Sequence, residues 1–364
     1  MHAAPIAIAA IVIRIFMFGS CFAPGRNGWA SLDNTAEVPR RMHPRCRPGR
    51  IQGNVAPDHA LPPTFVKTES CMRKQSLRLL AGASILATGI GWAYLHPLAW
   101  LNAMVPRTGH TRFSQLAYGA DPRQGIDVYV PTANPTARRP MVVFFYGGSW
   151  QGGLRADYRF VGQALSSRGM VVAIPDYRVF PQVAFPGFME DAAAAVRWAR
   201  DHAAVYGADP DRLFLAGHSA GAQIALLLAT DRSWLARAGL PSHALAGVIG
   251  LAGPYDFLPL RDSTLERIFP ASQRTASQPI DFVRGGEPPI LLGVGMRDDI
   301  VDPGNTERMA ARLRAHGDAV QVRRYPRLTH EMMVGSLATP LITLKRLIPV
   351  GPVLDDVTDF VDAH

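Results

Sequence analysis

The stretch from Arg212 to Asp231 constrains the fold of this chain more than any other. An apolar run of strand type, Leu213 to Ala216, leads into a tight Gly-His-Ser-Ala-Gly turn, and an alanine- and leucine-rich helical run follows. The spacing indicates a turn so sharp that the serine takes strained dihedral angles and any side chain at the flanking glycines would collide with neighbouring backbone. This pattern is typical of a nucleophile elbow, and it predicts that the Ser219 hydroxyl projects from the carboxyl end of a sheet.

The Gly-x-Ser-x-Gly pattern is short, so its context carries the interpretation. A chain with 33 glycines offers this spacing by chance, but a chance match has no reason to lie between a strand and a helix. A serine hydroxyl is a poor nucleophile at neutral pH, because it needs a histidine to accept its proton and a carboxylate to orient that histidine. The interpretation therefore requires an acid and then a histidine further along the chain.

Residues in this order follow two later strand-like segments. His330 lies in a loop near the end of the chain, after the last predicted strand. Asp298 and Asp299 both follow a buried-type strand, and the pattern leaves open which carboxylate would orient the histidine; a surface turn is the alternative interpretation. His218, inside the turn, is predicted to point away from Ser219 and to be structural, because neighbouring strand residues face opposite sides.

Strand-like and helical segments alternate along the rest of the chain. The predicted strands are 113–118, 126–130, 141–145, 170–175, 213–216, 246–251, 290–294 and 320–325, and the predicted helices are 157–168, 188–206, the run ending near residue 230, 305–316 and a final amphipathic region. The first two strands are expected to form a hairpin. The alternation predicts an α/β fold with one doubly wound, mostly parallel sheet, in which ligands bind at the carboxyl ends of the strands.

A glycine-containing segment, Tyr146 to Trp150, follows the buried-type strand 141–145 directly. Glycines at such a place let backbone N–H groups approach a ligand closely, although an ordinary glycine loop has the same composition. Because the carboxyl ends of parallel strands meet at one edge of a sheet, we expect this segment to lie beside Ser219.

Together these segments resemble the α/β-hydrolase superfamily, and within it the esterase group that includes hormone-sensitive-lipase-like and kynurenine-formamidase-like carboxylesterases. The resemblance covers residues 112–363. It rests on the segments YGGSW, DYR, FPGFMED, GADPDRLFLAGHSAGA and GPYDF, and on GMRDDIVDPGN ahead of the late histidine. It implies an α/β-hydrolase fold, a doubly wound sheet with a small cap segment.

The resemblance also implies roles for particular residues. Ser219 would be the nucleophile and His330 the general base. Members usually carry G-x-x-D-x-x-V around the acid, which favours Asp298, with Val301 three residues later, over Asp299. The oxyanion hole would be formed by the backbone N–H groups of Gly148, Ser149 and Ala220.

The chain departs from the family pattern at two positions. Tyr146 stands where many members have a histidine before the glycines, and Val294 stands where a histidine often precedes Gly295. Neither position transfers a proton in the implied mechanism. The departures therefore concern the shape of the acyl pocket.

The charge distribution argues against nucleic acid as a partner. The chain has 364 residues, and its 38 basic residues against 29 acidic ones give a net charge of +9. The first 74 residues hold ten basic and four acidic side chains, a net charge of +6 that leaves +3 for the remainder. The region with the motifs is thus close to charge balance, and we expect no nucleic-acid binding there.

The leading segment also contains all three cysteines, Cys21, Cys46 and Cys71. The motif-bearing region has none, which excludes a disulfide framework, a thiolate nucleophile and a cysteine metal site from it. Residues 24–71 are rich in Pro, Arg, Asn and Gly without a sustained period, which predicts disorder. We expect residues 1–71 to be disordered or to be a mis-called extension, with translation beginning at Met72.

A membrane anchor is predicted between this segment and the catalytic region. From Met72, a basic cluster of Arg73, Lys74 and Arg78 precedes an uncharged apolar run at 79–95, the layout of a signal sequence or N-terminal anchor. We therefore divide the chain into 1–71, an anchor at 72–105 and a catalytic domain at 106–364. Positive charge before the span predicts a domain anchored at the inner membrane and outside the cytoplasm, with a secreted or periplasmic protein as the alternative.

The expected function is hydrolysis of short or medium acyl or aryl esters by a serine esterase, with no cofactor and no metal. The irregular segment 254–289 is expected to form a small cap whose apolar side chains favour such substrates: Phe257, Leu258, Leu260, Ile268 and Phe269. An amidase, an arylformamidase or a peptidase on the same fold is the alternative among enzymes. A catalytically silent interaction protein is the alternative from another class. The sequence leaves the oligomeric state open.

Overall fold

The structure is a computed structural model that describes residues 97–133, 138–241 and 243–364. The predictions for 1–71, and the apolar run 79–95 of the predicted anchor, lie outside the described residues. Within the described ranges, no helix is both long enough and apolar enough to cross a membrane. The first described helix, α1 (Pro97–Met104), packs on the domain, because the Asn102 amide donates to the carbonyl oxygen of Asp157 at 2.7 Å and accepts from the Phe160 N–H at 3.0 Å.

A single eight-stranded sheet forms the centre of the described part of the chain, with the order β1-β2-β4-β3-β5-β6-β7-β8. The pairs β1–β2 and β2–β4 are antiparallel and the others are parallel. The strands are β1 (His110–Ala117), β2 (Gly125–Pro131), β3 (Arg139–Phe145), β4 (Val171–Pro175), β5 (Ala208–His218), β6 (Gly247–Leu251), β7 (Ile290–Gly295) and β8 (Val320–Tyr325). The predicted doubly wound, mostly parallel sheet is confirmed.

The helices that follow α1 are α2 (Arg159–Ser166), α3 (Gly187–His202), α4 (Ala220–Thr230), α5 (Ser233–Arg237), α6 (Ser263–Ile268), α7 (Gly304–Ala315), α8 (His330–Gly335), α9 (Thr339–Ile342) and α10 (Val353–Ala363). A 3₁₀ turn at Arg155–Tyr158 precedes α2. Strands β3, β4, β6 and β7 are buried along their whole length, as expected where helices cover both faces of a parallel sheet. The continuous apolar runs in the sequence are therefore explained by the layer architecture.

The cap predicted at 254–289 is a short, closely docked segment rather than a second domain. It consists of α6 and three 3₁₀ turns at Ala271–Gln273, Thr275–Ser277 and Pro279–Phe282. The carbonyl oxygen of Ile268 accepts a hydrogen bond from the Phe185 N–H at 2.8 Å, and the Arg267 guanidinium lies over the Phe180 ring at 4.8 Å. The predicted apolar side chains of the cap differ in burial. Ile268 and Phe269 are fully buried, while Phe257, Leu258 and Leu260 are half-buried.

Two buried carboxyl groups tie the segment before β7 to the turn before β8. Asp318 Oδ1 accepts from the N–H groups of Gly286 and Glu287, and Glu287 Oε1 accepts from the Arg284 N–H. The remaining oxygens, Glu287 Oε2 and Asp318 Oδ2, are buried without any other partner in the described chain, and we expect the two carboxyl groups to share a proton. Burial, followed by the hydrogen bond with Glu287 and its charge, raises the pKa of Asp318. Burial acts to raise the pKa of Glu287, but hydrogen bonds from Asp318 and from backbone N–H groups together outweigh it, so this pKa is lowered.

Asp318 predicts a contribution to the folding stability that falls as the pH rises, whereas the lowered pKa of Glu287 has the opposite sign. The raised pKa means that the contribution of Asp318 is fully present below the pKa of an unfolded aspartate and is lost as the pH passes the folded value. In Asp318→Asn, the side-chain oxygen can still accept both N–H groups while the NH₂ donates to Glu287 at every pH. We expect this variant to exceed the parent in unfolding free energy by about 1 kcal/mol at pH 8. The difference in unfolding free energy between the variant and the parent should become smaller toward pH 4.

Urea unfolding of the parent and the variant at both pH values measures this difference. The matched control is Asp359→Asn, which changes an exposed carboxylate on α10 and should leave the difference between the two pH values at its parental size. A destabilisation of Asp318→Asn that is equal at both pH values would contradict proton sharing.

Candidate active site

The turn between β5 and α4 has the strained geometry that its glycines indicate. Ser219 has φ 56° and ψ −125°, a conformation that costs a non-glycine residue about 1–3 kcal/mol. A Cβ on Gly217 would lie 2.2 Å from the Gly221 carbonyl oxygen, and a Cβ on Gly221 would lie 2.0 Å from the Phe145 carbonyl oxygen. The Ser219 N–H is held by the carbonyl oxygen of Leu251 at 2.9 Å. Both glycines are therefore required by close backbone approach.

The structure brings His330 and Asp298 into direct contact. Asp298 follows β7, and His330 is the first residue of α8. His330 Nδ1 lies 2.8 Å from Asp298 Oδ2, and both side chains are buried. Asp298 Oδ1 accepts from the N–H groups of Ile300 at 3.0 Å and Val301 at 2.9 Å, so both carboxylate oxygens are engaged.

The neighbouring carboxylate, which the sequence pattern left as an alternative, is placed differently. Asp299 is exposed, and its side chain makes no hydrogen bond or ion pair with His330. One residue along the loop thus separates a buried carboxylate in contact with the histidine from a solvated one. The geometry distinguishes the two acids that the sequence could separate only by family resemblance.

The Asp298–His330 pair lies against the turn that carries Ser219. The ring centroids of His218 and His330 are 4.7 Å apart, and His218 Nε2 lies 3.0 Å from the His330 carbonyl oxygen. His218 directly precedes Ser219 in the chain. The Asp298–His330 pair therefore lies beside the turn that carries Ser219, at the carboxyl edge of the sheet.

The glycine segment after β3 approaches the same turn closely. A Cβ on Gly147 would lie 2.9 Å from Ser219 Cβ, which explains why a glycine stands there. Gly148 and Ser149 have φ values of 130° and 52°. Neither of their N–H groups donates to an acceptor within residues 97–133, 138–241 and 243–364. Ala220 begins α4, so its N–H has no intrahelical partner.

Tyr146, which replaces the histidine of many family members, points into the core and supports the glycine segment from behind. Its ring stacks between those of Tyr158 at 5.3 Å and Tyr177 at 4.9 Å. Its hydroxyl donates to Asp176 Oδ1 at 2.8 Å, while the Tyr177 hydroxyl donates to the Tyr146 carbonyl oxygen at 2.8 Å. Burial, followed by the neighbouring Tyr177, raises the pKa of Tyr146. The tyrosine at this position therefore helps to hold the glycine segment in place.

Arg123, in the turn between β1 and β2, supports two loops next to the site. The sequence did not reveal this role. Its Nη2 donates to the Gly153 carbonyl oxygen at 2.8 Å, and its Nε donates to the Tyr177 carbonyl oxygen at 3.0 Å. One guanidinium thus joins the residues just after the glycine segment to the loop after β4. No local pattern could have identified it, because the partners lie 30 and 54 residues away.

A second connection joins the glycine segment to the cap through the helix of the elbow. The Trp150 indole N–H donates to Gln223 Oε1 at 3.1 Å, and Gln223 Nε2 donates to the Ser277 carbonyl oxygen at 2.8 Å. The Trp150 ring meets Phe269 edge-on at 4.8 Å and Phe257 at 5.7 Å. Aromatic side chains therefore fill the space between this segment and the cap.

Within the described ranges, no group of three or more histidine, cysteine, aspartate or glutamate side chains is arranged to hold a metal ion. The groups at this edge of the sheet are the hydrogen-bonded pair of His330 and Asp298 and the strained Ser219. Such a set can support nucleophilic attack on a carbonyl carbon.

Known proteins that resemble this chain include proteins named as esterases. A protein of Arabidopsis thaliana named "Probable isoprenylcysteine alpha-carbonyl methylesterase ICMEL1" is 33% identical over 226 residues, which cover 56% of this chain and 44% of that protein. The esterase LipC of Mycobacterium tuberculosis is 32% identical over 223 residues, covering 55% of each. The chain thus spans about half the length of these relatives.

A solved structure, a truncated form of a carbohydrate esterase from gut microbiota, superposes with a TM-score of 0.61 at 20% identity, covering 71% of this chain and 98% of that one. At this identity the likeness shows the fold alone, which is the α/β-hydrolase fold that the sequence resemblance implied. The model of the BD-FAE family matches residues 126–313, more than half of the chain and the stretch from β2 into α7. By this match, the chain belongs to the BD-FAE family, within the esterase group of the α/β-hydrolases.

Proposed function

We propose that the protein is a serine carboxylesterase that cleaves short or medium acyl or aryl esters through Ser219, His330 and Asp298. The observation that carries the proposal is the 2.8 Å contact between His330 Nδ1 and Asp298 Oδ2 beside the strained Ser219 turn. The esterase names of the relatives support the same reaction class. Since the chain spans about half of their length, their substrates enter only as candidates.

The tautomer of His330 follows from its partner. A carboxylate only accepts hydrogen bonds, so Nδ1 carries the proton that is donated to Asp298 Oδ2. Nε2 is then the free basic nitrogen, and it accepts the hydroxyl proton as Ser219 Oγ attacks the ester carbonyl carbon. The charge that forms on His330 is stabilised by Asp298, which stays ionised throughout.

The oxyanion of the tetrahedral intermediate needs donors that are already in place. The N–H groups of Gly148, Ser149 and Ala220 are assigned this role, because they lie beside the turn and lack intramolecular acceptors in the described chain. Each such donor is worth on the order of 10² to 10³ in rate. Protonation of the departing alkoxide by His330 leaves an acyl-serine, and a water activated by the same nitrogen then releases the acid.

The cap supports the choice of substrate class. Half-buried Phe257 and the buried Trp150 and Phe269 form an apolar boundary next to the glycine segment. Gln223 holds this boundary in place through its hydrogen bonds to Trp150 and Ser277. Aromatic side chains that fill the space beside the glycine segment favour small acyl or aryl groups over long chains.

Hydrolysis of p-nitrophenyl esters from acetate to decanoate by the full-length protein tests the proposal. We expect turnover of the acetate and butyrate esters, with kcat/KM falling by about tenfold or more toward the decanoate. Matched p-nitroanilides and an aryl formamide should react far more slowly. Turnover of the amides alone would identify an amidase or arylformamidase. A folded protein that hydrolyses neither and resists fluorophosphonate labelling would be an interaction protein.

The location of the protein is part of the same proposal. The basic cluster and the apolar run 79–95 support a segment that anchors the domain at the inner membrane, on the side away from the cytoplasm. Fractionation of cells that produce the full chain, followed by an alkaline wash of the membranes, tests it. Protein recovered only from the cytoplasmic soluble fraction would contradict both the anchored and the secreted form.

A further inference from the structure

His218 belongs to the elbow motif but has no part in the mechanism above. It is the last residue of β5, its side chain is 5% exposed, and it stands between the strand and Ser219. Strand geometry alone predicts that it points away from the serine, and this leaves its role undefined. Its contacts show where the side chain is directed.

The imidazole of His218 reaches across the sheet edge to His330. Nε2 lies 3.0 Å from the His330 carbonyl oxygen, and because a carbonyl oxygen only accepts, Nε2 carries the proton and donates it. The two rings are 4.7 Å apart at their centroids, tilted by 47°. His330 is thus held twice, through its side chain by Asp298 and through its backbone by His218.

The other ring nitrogen of His218 has no hydrogen-bond partner within the described chain. A Cβ on Gly147 would lie 3.2 Å from this Nδ1, so the ring is packed between the glycine segment and His330. Burial first, and then the proximity of His330, lower the pKa of His218 to about 3, although its hydrogen bond to the His330 backbone acts in the opposite direction. Two histidines therefore lie in contact, and only His330 has a carboxylate at hand to stabilise a positive charge.

Resting on the proposed function, we propose that His218 is a positioning residue: its Nε2–H holds the backbone of His330 so that His330 Nε2 stays directed at Ser219. The point that anchors His330 lies outside the segment that carries it. β5 is one of the central strands of the sheet and leads directly into Ser219, so a bond from its last residue links the base to the same rigid element. A shift of about 1 Å at the base can lower the rate about 10²-fold.

Two variants of nearly equal polarity distinguish positioning from a general structural role. A glutamine at this position can place its amide nitrogen where Nε2 lies and can donate to the His330 carbonyl oxygen. An asparagine is one methylene shorter, and its amide nitrogen corresponds to Nδ1, which makes no such bond. We expect kcat on p-nitrophenyl acetate to fall about tenfold to 100-fold in His218→Asn, with KM within about twofold of the parent. His218→Gln should retain kcat within about threefold.

The rate of fluorophosphonate labelling, normalised to folded protein from thermal unfolding, should follow the same order: parent, then glutamine, then asparagine. Parental kcat in the asparagine variant, or equal losses in both variants, would overturn the inference. If the asparagine variant does not fold, the glutamine variant decides alone, because a loss of more than about tenfold there contradicts the role of the N–H. Failure of the proposed function is seen separately, as a parent protein without esterase turnover.

Discussion

Replacing Ser219 by alanine is expected to lower kcat for ester hydrolysis by about 10⁶-fold. The hydroxyl is the only group assigned to attack the carbonyl carbon, and without it no acyl-enzyme forms. The oxyanion donors of the glycine segment remain, so a residual rate of about 10³ to 10⁴ over water is expected from binding and charge stabilisation alone. The loss should appear in kcat while the affinity for a non-reacting substrate analogue is retained.

Steady-state kinetics on p-nitrophenyl acetate and fluorophosphonate labelling measure this effect together. The matched control is Ser167→Ala, since Ser167 is exposed and lies between α2 and β4, at the opposite edge of the sheet from the elbow. Both activity and labelling should disappear in the first variant and persist in the second. Labelling that persists in Ser219→Ala would place the nucleophile elsewhere and remove the basis of the mechanism.

The sequence alone predicted those parts of the site in which the local backbone geometry requires particular residue types. A strand that becomes a helix through one strained residue needs glycines at fixed positions, and Gly217 and Gly221 stand where the backbone leaves no space for a Cβ. Fully buried strands need continuous apolar runs, so the ends of the predicted strands lie within about three residues of those observed, except that β5 begins at Ala208, before the predicted start at Leu213. The order of Ser219, acid and histidine then followed from the topology.

What the sequence could not supply depends on side-chain direction and on contacts between distant segments. Apart from the family pattern, nothing local distinguishes Asp298 from Asp299, because a one-residue difference in a loop decides which carboxylate turns inward. Arg123 and Gln223 could not be identified, since their partners lie in other loops and become neighbours only when the sheet forms. His218 was interpreted as structural for the same reason.

Asp298→Asn is the second change with a large expected effect, a fall in kcat of about 10⁴-fold. The size of the effect follows from how the carboxylate is held. Asp298 Oδ1 accepts two backbone N–H groups, from Ile300 and Val301, and this position requires an oxygen. The amide of the new asparagine must therefore place its NH₂ where Oδ2 was, facing His330 Nδ1.

An NH₂ group only donates, so Nδ1 must then accept, and the imidazole proton moves to Nε2. The nitrogen directed at Ser219 can no longer take its proton, although the geometry of the site hardly changes.

The control is Asp299→Asn, which alters an exposed carboxylate in the same loop with the same loss of charge. We expect parental kcat for this control and an unchanged Tm for both variants. A large loss in Asp299→Asn with retention in Asp298→Asn would mean that the wrong carboxylate has been assigned, while equal small losses would mean that His330 does not depend on its tautomer.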